Sequence, residues 1–207
     1  METIKIAIAK GRLAKHSIGL LEEIGIDCRI LKEDSRKLVF HLSSHQLEVI
    51  LLKAVDVPTY VEHGVVDMGI VGKDVLMEQE KPLYEVMDLK FGGCRFSIAG
   101  RLGDGLGKKH LRVATKYPNV ARKHFASKGQ SVEIIRQEGS VELAPIMGLS
   151  DIILDIVETG KTLKENGLVI LEDVAHLSAR LVLNKVSYKT KKKEISTIIE
   201  AMGEKVN

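Results

Sequence analysis

The chain has 207 residues, of which 44% are hydrophobic and 29% are charged, and it contains no Trp. This composition is ordinary for a folded protein and favours a folded chain over a disordered one, and the length suffices for one large domain or two small lobes. The formal net charge of +3 does not require a nucleic-acid partner, although a modest positive excess suits small anionic ligands.

The first half of the chain predicts strands and helices in alternation. Residues 4–9 are apolar and β-branched, as in a strand, and residues 13–24 carry apolar side chains at helical spacing up to Gly25. Short strands at 38–42 and 47–52 flank Ser43-Ser44-His45, which predicts a hairpin. The other predicted elements are a short helix from Asp56, a buried strand at 67–71, a helix opened by Gly72, strands at 84–90 and 95–99, and a Gly-rich surface loop at 100–109.

The second half repeats this alternation from Leu111 onward. Its predicted elements are strands at 112–115, 131–135, 151–157, 168–177 and 179–183, helices at 118–127 and 140–147, a turn or two of helix at 162–166, and one closing helix. Strands that alternate with helices favour parallel sheets.

Two segments of the chain resemble each other, which indicates an α/β fold of two similar lobes. Gly64-Val65-Val66-Asp67 follows a short helix and leads into an apolar strand, and Gly148-Leu149-Ser150-Asp151 does the same. We expect one lobe from residues 1–92 with 184–207, including the hairpin and the closing helix, and a second lobe from residues 93–183. Such a fold is similar to that of periplasmic binding proteins, with a ligand cleft between the lobes at the carboxyl ends of strands.

Cys28 and Cys94 lie far apart, and no Cys/His pattern has metal-ligand spacing, so neither a disulfide framework nor a protein-held metal is expected. The segment before Lys10 lacks the long apolar stretch of a signal peptide, and no apolar run is long enough to span a membrane. We therefore expect a cytoplasmic protein with no membrane and no nucleic-acid partner.

The sharpest chemical signal is a polar loop that follows an apolar strand and leads into a helix. Its residues are Asp155, Ile156, Val157, Glu158, Thr159, Gly160, Lys161 and Thr162. Backbone N–H groups, two hydroxyls and an ammonium can bind one anion there, while the two carboxylates can accept hydrogen bonds from ribose hydroxyls. This pattern predicts a 5′-phosphate in the loop, and the alternative is a turn that merely joins strand to helix. A Walker A motif is excluded, because Asp155 stands where that motif requires Gly.

Four other places are candidates for ligand contacts. Lys10-Gly11-Arg12 follows the first strand and offers two cations beside a glycine, and Lys73-Asp74 follows a later strand, although either segment can also be a solvated turn. Tyr117 stands at a strand end, before the helix predicted at 118–127, and can stack on a purine or cap the core. Glu142 begins a short helix and can face a ribose or only complement the helix dipole.

Taken in order, these segments resemble the motifs of the ATP phosphoribosyltransferases, in their short form. The matching segments are IAKGRL at 8–13, GVVDMGIVGKD at 64–74, RVATKYPN at 112–119, EGSVELAP at 138–145 and DIVETGKTL at 155–163. Each match is weak by itself, but the ordered set covers nearly the whole chain and is specific.

The resemblance implies the first reaction of histidine biosynthesis, in which N1 of ATP attacks C1 of 5-phosphoribosyl 1-diphosphate and pyrophosphate leaves. It implies that Mg²⁺ travels with the substrates and that the loop at 155–162 holds the ribose 5-phosphate. The implied nucleotide or diphosphate contacts are Lys10, Gly11, Arg12, Asp67, Lys73 and Asp74, with Tyr117 near the purine. Glu158 stands where the family also has small residues, which leaves its role open.

The short form also implies partners. It lacks the C-terminal regulatory domain of the long form and depends on a subunit that resembles a histidyl-tRNA synthetase, so a homodimer within a hetero-oligomer is expected. Three other interpretations remain: a two-lobed solute-binding protein, which predicts export; a ligand-sensing regulatory domain, which predicts an attached DNA-binding segment; and a type I phosphoribosyltransferase, which the Lys-Gly-Arg segment does not suit.

Overall fold

The computed structural model describes residues 2–33, 36–42, 46–103, 108 and 110–206. The predicted turn at 43–45 lies outside these residues, as do positions 104–107 and 109 of the predicted Gly-rich loop. The chain divides into two compact units, Met1–Gly92 with Ser178–Asn207 and Gly93–Leu177. Each unit combines a sheet with helices, which confirms a fold of two α/β lobes.

The strands are β1 (Ile4–Ala9), β2 (Val39–Leu42), β3 (Leu47–Leu52), β4 (Met68–Gly72), β5 (Tyr84–Asp88), β6 (Cys94–Gly100), β7 (Leu111–Thr115), β8 (Val132–Arg136), β9 (Ile152–Val157), β10 (Val169–Leu177) and β11 (Ala179–Leu183). The helices are α1 (Arg12–Glu23), α2 (Val57–Glu62), α3 (Lys73–Gln79), α4 (Pro118–Ser127), α5 (Leu143–Ile146), α6 (Lys161–Glu165), α7 (Lys185–Thr190) and α8 (Lys192–Val206), with 3₁₀ turns at Arg29–Leu31 and Ala54–Asp56.

The first unit is built on a six-stranded sheet in the order β2-β3-β1-β4-β11-β5. β1 runs parallel to β3 and β4, whereas β2, β11 and β5 run antiparallel to their neighbours. The antiparallel pairing of β2 with β3 confirms the predicted hairpin strands. Buried Ile, Leu and Val side chains fill both faces of this sheet, as the scarcity of aromatic residues requires.

The second unit has a five-stranded sheet in the order β10-β6-β9-β7-β8, which repeats the order β5-β11-β4-β1-β3 of the first. β6 in the second sheet and β11 in the first occupy equivalent positions in these orders, and β11 comes from a later part of the chain than the other strands of its sheet. The structure therefore places the later boundary between Leu177 and Ser178 rather than after residue 183, because β11 pairs with β4 and β5.

Two helices, rather than the predicted single one, close the chain. The Asn184 Oδ1 accepts hydrogen bonds from the N–H groups of Val186 and Ser187 at 2.9 Å, which caps α7. Lys191 separates α7 from α8. None of the helices in the described part of the chain has the length and hydropathy needed to cross a bilayer.

Candidate functional site

The carboxyl ends of the parallel strands in the second unit meet at one edge of its sheet. β7 runs parallel to β9, with Thr115 opposite Leu154, and it runs parallel to β8 as well. Segments that follow β7 and β9 therefore leave the sheet at the same edge. This edge carries the predicted loop at 155–162.

The loop leaves β9 at Val157 and enters α6 at Lys161. Val157 and Leu163 are each 5% exposed and lie in one apolar cluster, so both ends of the loop are anchored. Between them Gly160 has a φ of 73°, in the left-handed region that favours glycine. A Cβ added there would make only ordinary contacts, so the glycine serves the backbone conformation rather than a lack of space.

A cavity of about 240 Å³ is lined by this loop and by Glu142, the residue that precedes α5. Val141 and Ala144 are buried in the same apolar cluster as Val157, and they hold Glu142 beside the loop. The structure thus brings together every predicted donor-loop residue and the predicted ribose contact.

Three carboxylates and one ammonium line the cavity, those of Glu142, Asp155, Glu158 and Lys161. One oxygen of Asp155 accepts the Ile156 N–H at 2.8 Å. The Lys161 side chain is 80% exposed and lies 3.7 Å from Glu165, and such an exposed pair contributes little to stability. The ammonium can therefore turn toward a bound anion at little cost, while the carboxylates suit a ligand that carries hydroxyl groups.

The corresponding edge of the first sheet carries three exposed residues: Lys10 and Gly11, which lie between β1 and α1, and Arg12, the first residue of α1. The Lys10 N–H donates to the Leu52 carbonyl at 2.8 Å, which extends the β1–β3 ladder to the point where the turn begins. Two cationic side chains consequently stand at a fixed strand end, where an anionic ligand can reach them.

Lys73 and Asp74 form the first turn of α3 at the end of β4. The Asp74 carboxylate folds over Gly72, since a Cβ added at Gly72 would lie 2.1 Å from its Oδ1. The Lys73 ammonium lies 2.5 Å from Oε2 of Glu85 on β5. β1 and β4 run parallel, so Lys10, Arg12, Lys73 and Asp74 all stand at the carboxyl edge of one sheet.

Asp67 does not belong to this group. It lies before β4, at the opposite edge of the sheet and about 16 Å away along the strand, and it is 3% exposed. Its Oδ2 accepts the Lys5 N–H at 2.9 Å and the Lys191 Nζ at 3.1 Å. The structure contradicts the predicted nucleotide or diphosphate contact, because this carboxylate joins β1 and β4 to the α7–α8 junction.

Tyr117 precedes α4 and is 8% exposed. Its ring packs edge-on against Phe96, with centroids 4.8 Å apart and an interplanar angle of 69°. Of the two interpretations open from the sequence, a tyrosine that caps the core describes this packing. The predicted purine contact stays a prediction and is restricted to the small exposed part of the side chain.

Sequence reasoning missed a polar group on the strands beside the loop. Ser97 on β6 stands opposite Asp155, and Arg95 stands opposite Val157. Asp173 on β10 accepts the Ser97 Oγ–H at 2.7 Å and the Arg95 Nε–H at 2.8 Å, and these bonds, that of Ser97 first, lower the pKa of Asp173.

A second missed group, Glu85, Asp88 and Arg180, lies on β5 and β11 near Lys73. Both groups lie inside strands, where polar residues look like an ordinary solvated face, so no local pattern marks them. Among the residues that the structure describes, no cluster of three or more His, Cys, Asp and Glu side chains is arranged to hold a metal ion.

Comparisons with known proteins agree on one family. A family model described as HisG, ATP phosphoribosyltransferase, matches residues 53–204. The ATP phosphoribosyltransferase of Alkaliphilus metalliredigens is 63% identical over 206 residues, which are 99% of each chain. That of a Bacillus cereus strain is 54% identical over 207 residues, which are 100% of this chain and 98% of the relative. A chain in the solved ATP phosphoribosyl transferase (HisG:HisZ) complex from Thermotoga maritima has a TM-score of 0.85 and 39% identity, and the match covers 97% of both chains.

Proposed function

This chain belongs to the ATP phosphoribosyltransferase family, and we propose that it transfers the phosphoribosyl group of 5-phosphoribosyl 1-diphosphate to N1 of ATP and releases pyrophosphate. This is the first step of histidine biosynthesis, the reaction that the family catalyses. The cavity of about 240 Å³ in the second unit is the observation that carries the assignment of residues to substrates.

In this proposal the 5-phosphate of the donor lies in the loop from Glu158 to Thr162. Its oxygens accept hydrogen bonds from backbone N–H groups, from the Thr159 and Thr162 hydroxyls and from the Lys161 ammonium. Charge-assisted bonds of this kind are the strong ones in anion recognition. The anchoring of both loop ends in the apolar cluster supports the assignment, because a preformed loop loses little entropy on binding.

The carboxylates of Asp155, Glu158 and Glu142 face the ribose in this proposal. They accept hydrogen bonds from its hydroxyls and hold C1 in place for attack. The transition state has oxocarbenium character, and a wall of carboxylates stabilises the positive charge that develops on the sugar ring. Catalysis then rests on the orientation of two substrates and on electrostatics rather than on a dedicated base.

The nucleotide and the diphosphate are assigned to the carboxyl edge of the first sheet. Lys10, Arg12 and Lys73 supply cations for phosphate oxygens, Gly11 allows close approach of the backbone, and Asp74 lies beside them. We also assign Tyr117 to the purine, and only the small exposed part of its side chain can make that contact. Mg²⁺ enters with the diphosphate as part of the substrate.

We propose further that the chain is a cytoplasmic protein and acts in a hetero-oligomer. The Thermotoga maritima structure is a HisG:HisZ complex, and its HisG chain resembles this chain over 97% of its length. That likeness supports assembly with a second kind of subunit. The homodimer, and a regulatory subunit that resembles a histidyl-tRNA synthetase, are proposed from the resemblance of the motifs to the short form of the family. Histidine is expected to inhibit only when that subunit is present.

The direct test mixes the purified chain with ATP, the phosphoribosyl donor and Mg²⁺, with and without the regulatory subunit, and follows the absorbance of the adduct. We expect product only when both substrates are present. Binding of a small solute without turnover would instead support a solute-binding protein.

The loop is tested by Lys161→Ala and Thr162→Ala, each of which should weaken donor binding about tenfold to a hundredfold. Lys164→Ala is the matched control, because Lys164 is an exposed residue of the same helix but does not line the cavity. Unchanged donor affinity by calorimetry in both loop variants would exclude the loop as the phosphate site.

A further inference from the structure

The Lys73 ammonium is held by a carboxylate that two cations share. Lys73 and Glu85 are partly buried, with 29% and 31% of their side chains exposed, and their charged atoms lie 2.5 Å apart. The other oxygen of Glu85 lies 3.6 Å from Nη1 of Arg180. Glu85 thus links the lysine at the end of β4 to an arginine on β11.

Arg180 is fixed in turn at its other end. Its Nη2 lies 3.2 Å from Oδ2 of Asp88, whose Oδ1 accepts the Ser178 Oγ–H at 2.6 Å. The Ser178 carbonyl accepts the Lys73 N–H at 3.0 Å. The series of contacts therefore starts at the backbone of Lys73 and returns to its ammonium, so both ends of this side chain are constrained.

This series lies at the edge of the sheet where the proposed ligand contacts stand. β11 runs antiparallel to β4 with Ala179 opposite Gly72 and Arg180 opposite Val71, the last residues of β4. Lys10 and Arg12 leave the same edge from the parallel strand β1.

Stability alone does not explain the arginine. The Nε of Arg180 is buried and has no hydrogen-bond partner among the described residues. A buried N–H group without a partner destabilises the folded state, so most such groups in native proteins are paired. A role in the function of this edge accounts for an arginine in this position.

We propose that Glu85 and Arg180 are positioning residues for the transfer reaction, and the inference rests on the function proposed above for Lys73. Glu85 holds the Lys73 ammonium in the direction in which it meets the substrate phosphates, and Arg180 holds Glu85. An ammonium has three N–H donors, so the bond to Glu85 leaves two for phosphate oxygens. A long, flexible side chain that is oriented before the reaction loses less entropy in the transition state.

The test is Glu85→Gln in the full chain, assayed with the regulatory subunit present. We expect kcat to fall about tenfold, because the ammonium loses its fixed direction. KM for ATP and for the donor should not rise, because the variant removes a negative charge next to two cations, Lys73 and Arg180. The net positive charge that the substitution adds should also make KM more sensitive to salt. The fall in kcat without a rise in KM is the effect that a purely structural role would not produce.

Glu62→Gln is the matched control. Glu62 pairs with Lys81 at 2.7 Å, and these side chains are 25% and 31% exposed, but Glu62 ends α2 near Asn184, at the other edge of the sheet. Its kcat and KM should equal those of the wild type. Arg180→Lys keeps the charge but replaces the planar guanidinium, whose Nη1 faces Glu85 and whose Nη2 faces Asp88, with a single ammonium. It should therefore lower kcat in the same way.

A double-mutant cycle decides whether Glu85 acts through Lys73. In a Lys73→Gln background, Glu85→Gln should lower kcat no further. Equal kinetics of Glu85→Gln and Glu62→Gln, or a full additional loss in the Lys73→Gln background, would overturn the positioning role while leaving the proposed function intact. A wild-type complex that forms no adduct would overturn the proposed function, and this inference with it.

Discussion

Each unit has an aspartate with equivalent contacts at one edge of its sheet. Asp67 accepts the N–H of Lys5 on β1 at 2.9 Å and the Lys191 ammonium at 3.1 Å. Asp151 accepts the N–H of Arg112 on β7 at 2.9 Å and the Lys108 ammonium at 3.0 Å. Each aspartate also returns its own N–H to the carbonyl of the same neighbour at 2.9 Å.

The units differ at the opposite edge. The first presents cations there, Lys10, Arg12 and Lys73. The second presents a loop whose Asp155 and Glu158 lie with Glu142 around one cavity. The repeated Gly-x-x-Asp segment therefore belongs to the framework, and the segments without a counterpart are the ones to which we assign the substrates. β9 illustrates this difference between the two edges of the sheet. Asp151, just before the strand, bonds to the framework, whereas Asp155, within the second half of the strand, lines the cavity.

The largest effect that would sharpen this comparison is expected for Asp67→Ala. The substitution leaves the Lys5 N–H and the Lys191 ammonium without their shared partner in a buried place. Breaking a buried ion pair costs about 3–5 kcal/mol, and the free energy of unfolding in urea should fall by about that amount. Affinities of the folded variant for ATP and the donor should change by less than about twofold. A loss of ligand affinity with an unchanged free energy of unfolding would show that Asp67 contacts a substrate.

The contribution of Asp151, the equivalent aspartate of the second unit, to the free energy of unfolding should depend on pH. Burial raises the pKa of Asp151, but hydrogen bonds from the Arg112 N–H and from the Lys108 and Arg112 side chains outweigh it and lower the pKa to about 2. Since the folded pKa lies below the unfolded value of 3.8, the stabilisation is complete above about pH 4 and is lost as the pH falls toward about 2. The difference in urea midpoint between the wild type and Asp151→Asn should shrink over that range. A difference that does not depend on pH would show that the charge of Asp151 is unimportant.

At the functional edge, Asp155→Asn should weaken donor binding about tenfold to a hundredfold and leave ATP binding unchanged. The reason is that its carboxylate is assigned to the ribose hydroxyls of the donor alone. Calorimetry with each ligand checks this, with circular dichroism to show that the fold is kept. Glu133→Gln is the control, because Glu133 is an exposed carboxylate on β8 of the same sheet and does not line the cavity. Equal losses for both ligands would mean that Asp155 supports the fold.

The sequence predicted the local parts of this picture. The strands β1, β4 and β9 are short apolar runs bounded by Gly or polar residues, and that pattern is complete within each segment. The loop at 155–162 was predicted for the same reason, since an apolar strand, a glycine and a Lys-Thr pair are contiguous, and its role as the donor site stays a prediction. Glu142 was predicted as a candidate because it lies at the start of a short helix. That it lies beside the loop was not predicted.

The parts that failed depend on which distant segments meet. Asp67 binds Lys191, 124 positions away, and no local pattern distinguishes a carboxylate with such a partner from an exposed one. β11 follows β10 after one residue, so it was predicted in the second lobe, yet its hydrogen bonds go to β4 and β5. An apolar strand encodes burial but not which sheet it joins. The contacts of Arg180 depend on that strand pairing, so they could not be predicted from the sequence either.

The smallest expected effect separates loop conformation from loop chemistry. Gly160 has a φ of 73°, and Gly129, which follows α4, has a φ of 67°. Replacement of either by Ala forces a side chain into the left-handed region, at a cost of about 1–2 kcal/mol. Neither added Cβ would clash, so both variants should lose a similar free energy of unfolding.

Only Gly160→Ala should also weaken donor binding, by about tenfold, because only Gly160 shapes the loop that receives the phosphate. Gly129 lies outside the cavity lining, and its variant should bind the donor like the wild type. ATP affinity should be unchanged in both variants, since the nucleotide is assigned to the other unit. Equal donor affinities in the two variants would show that the left-handed turn serves the fold alone. The phosphate contacts would then have to come from the side chains of Lys161 and Thr162 without help from the backbone between Thr159 and Lys161.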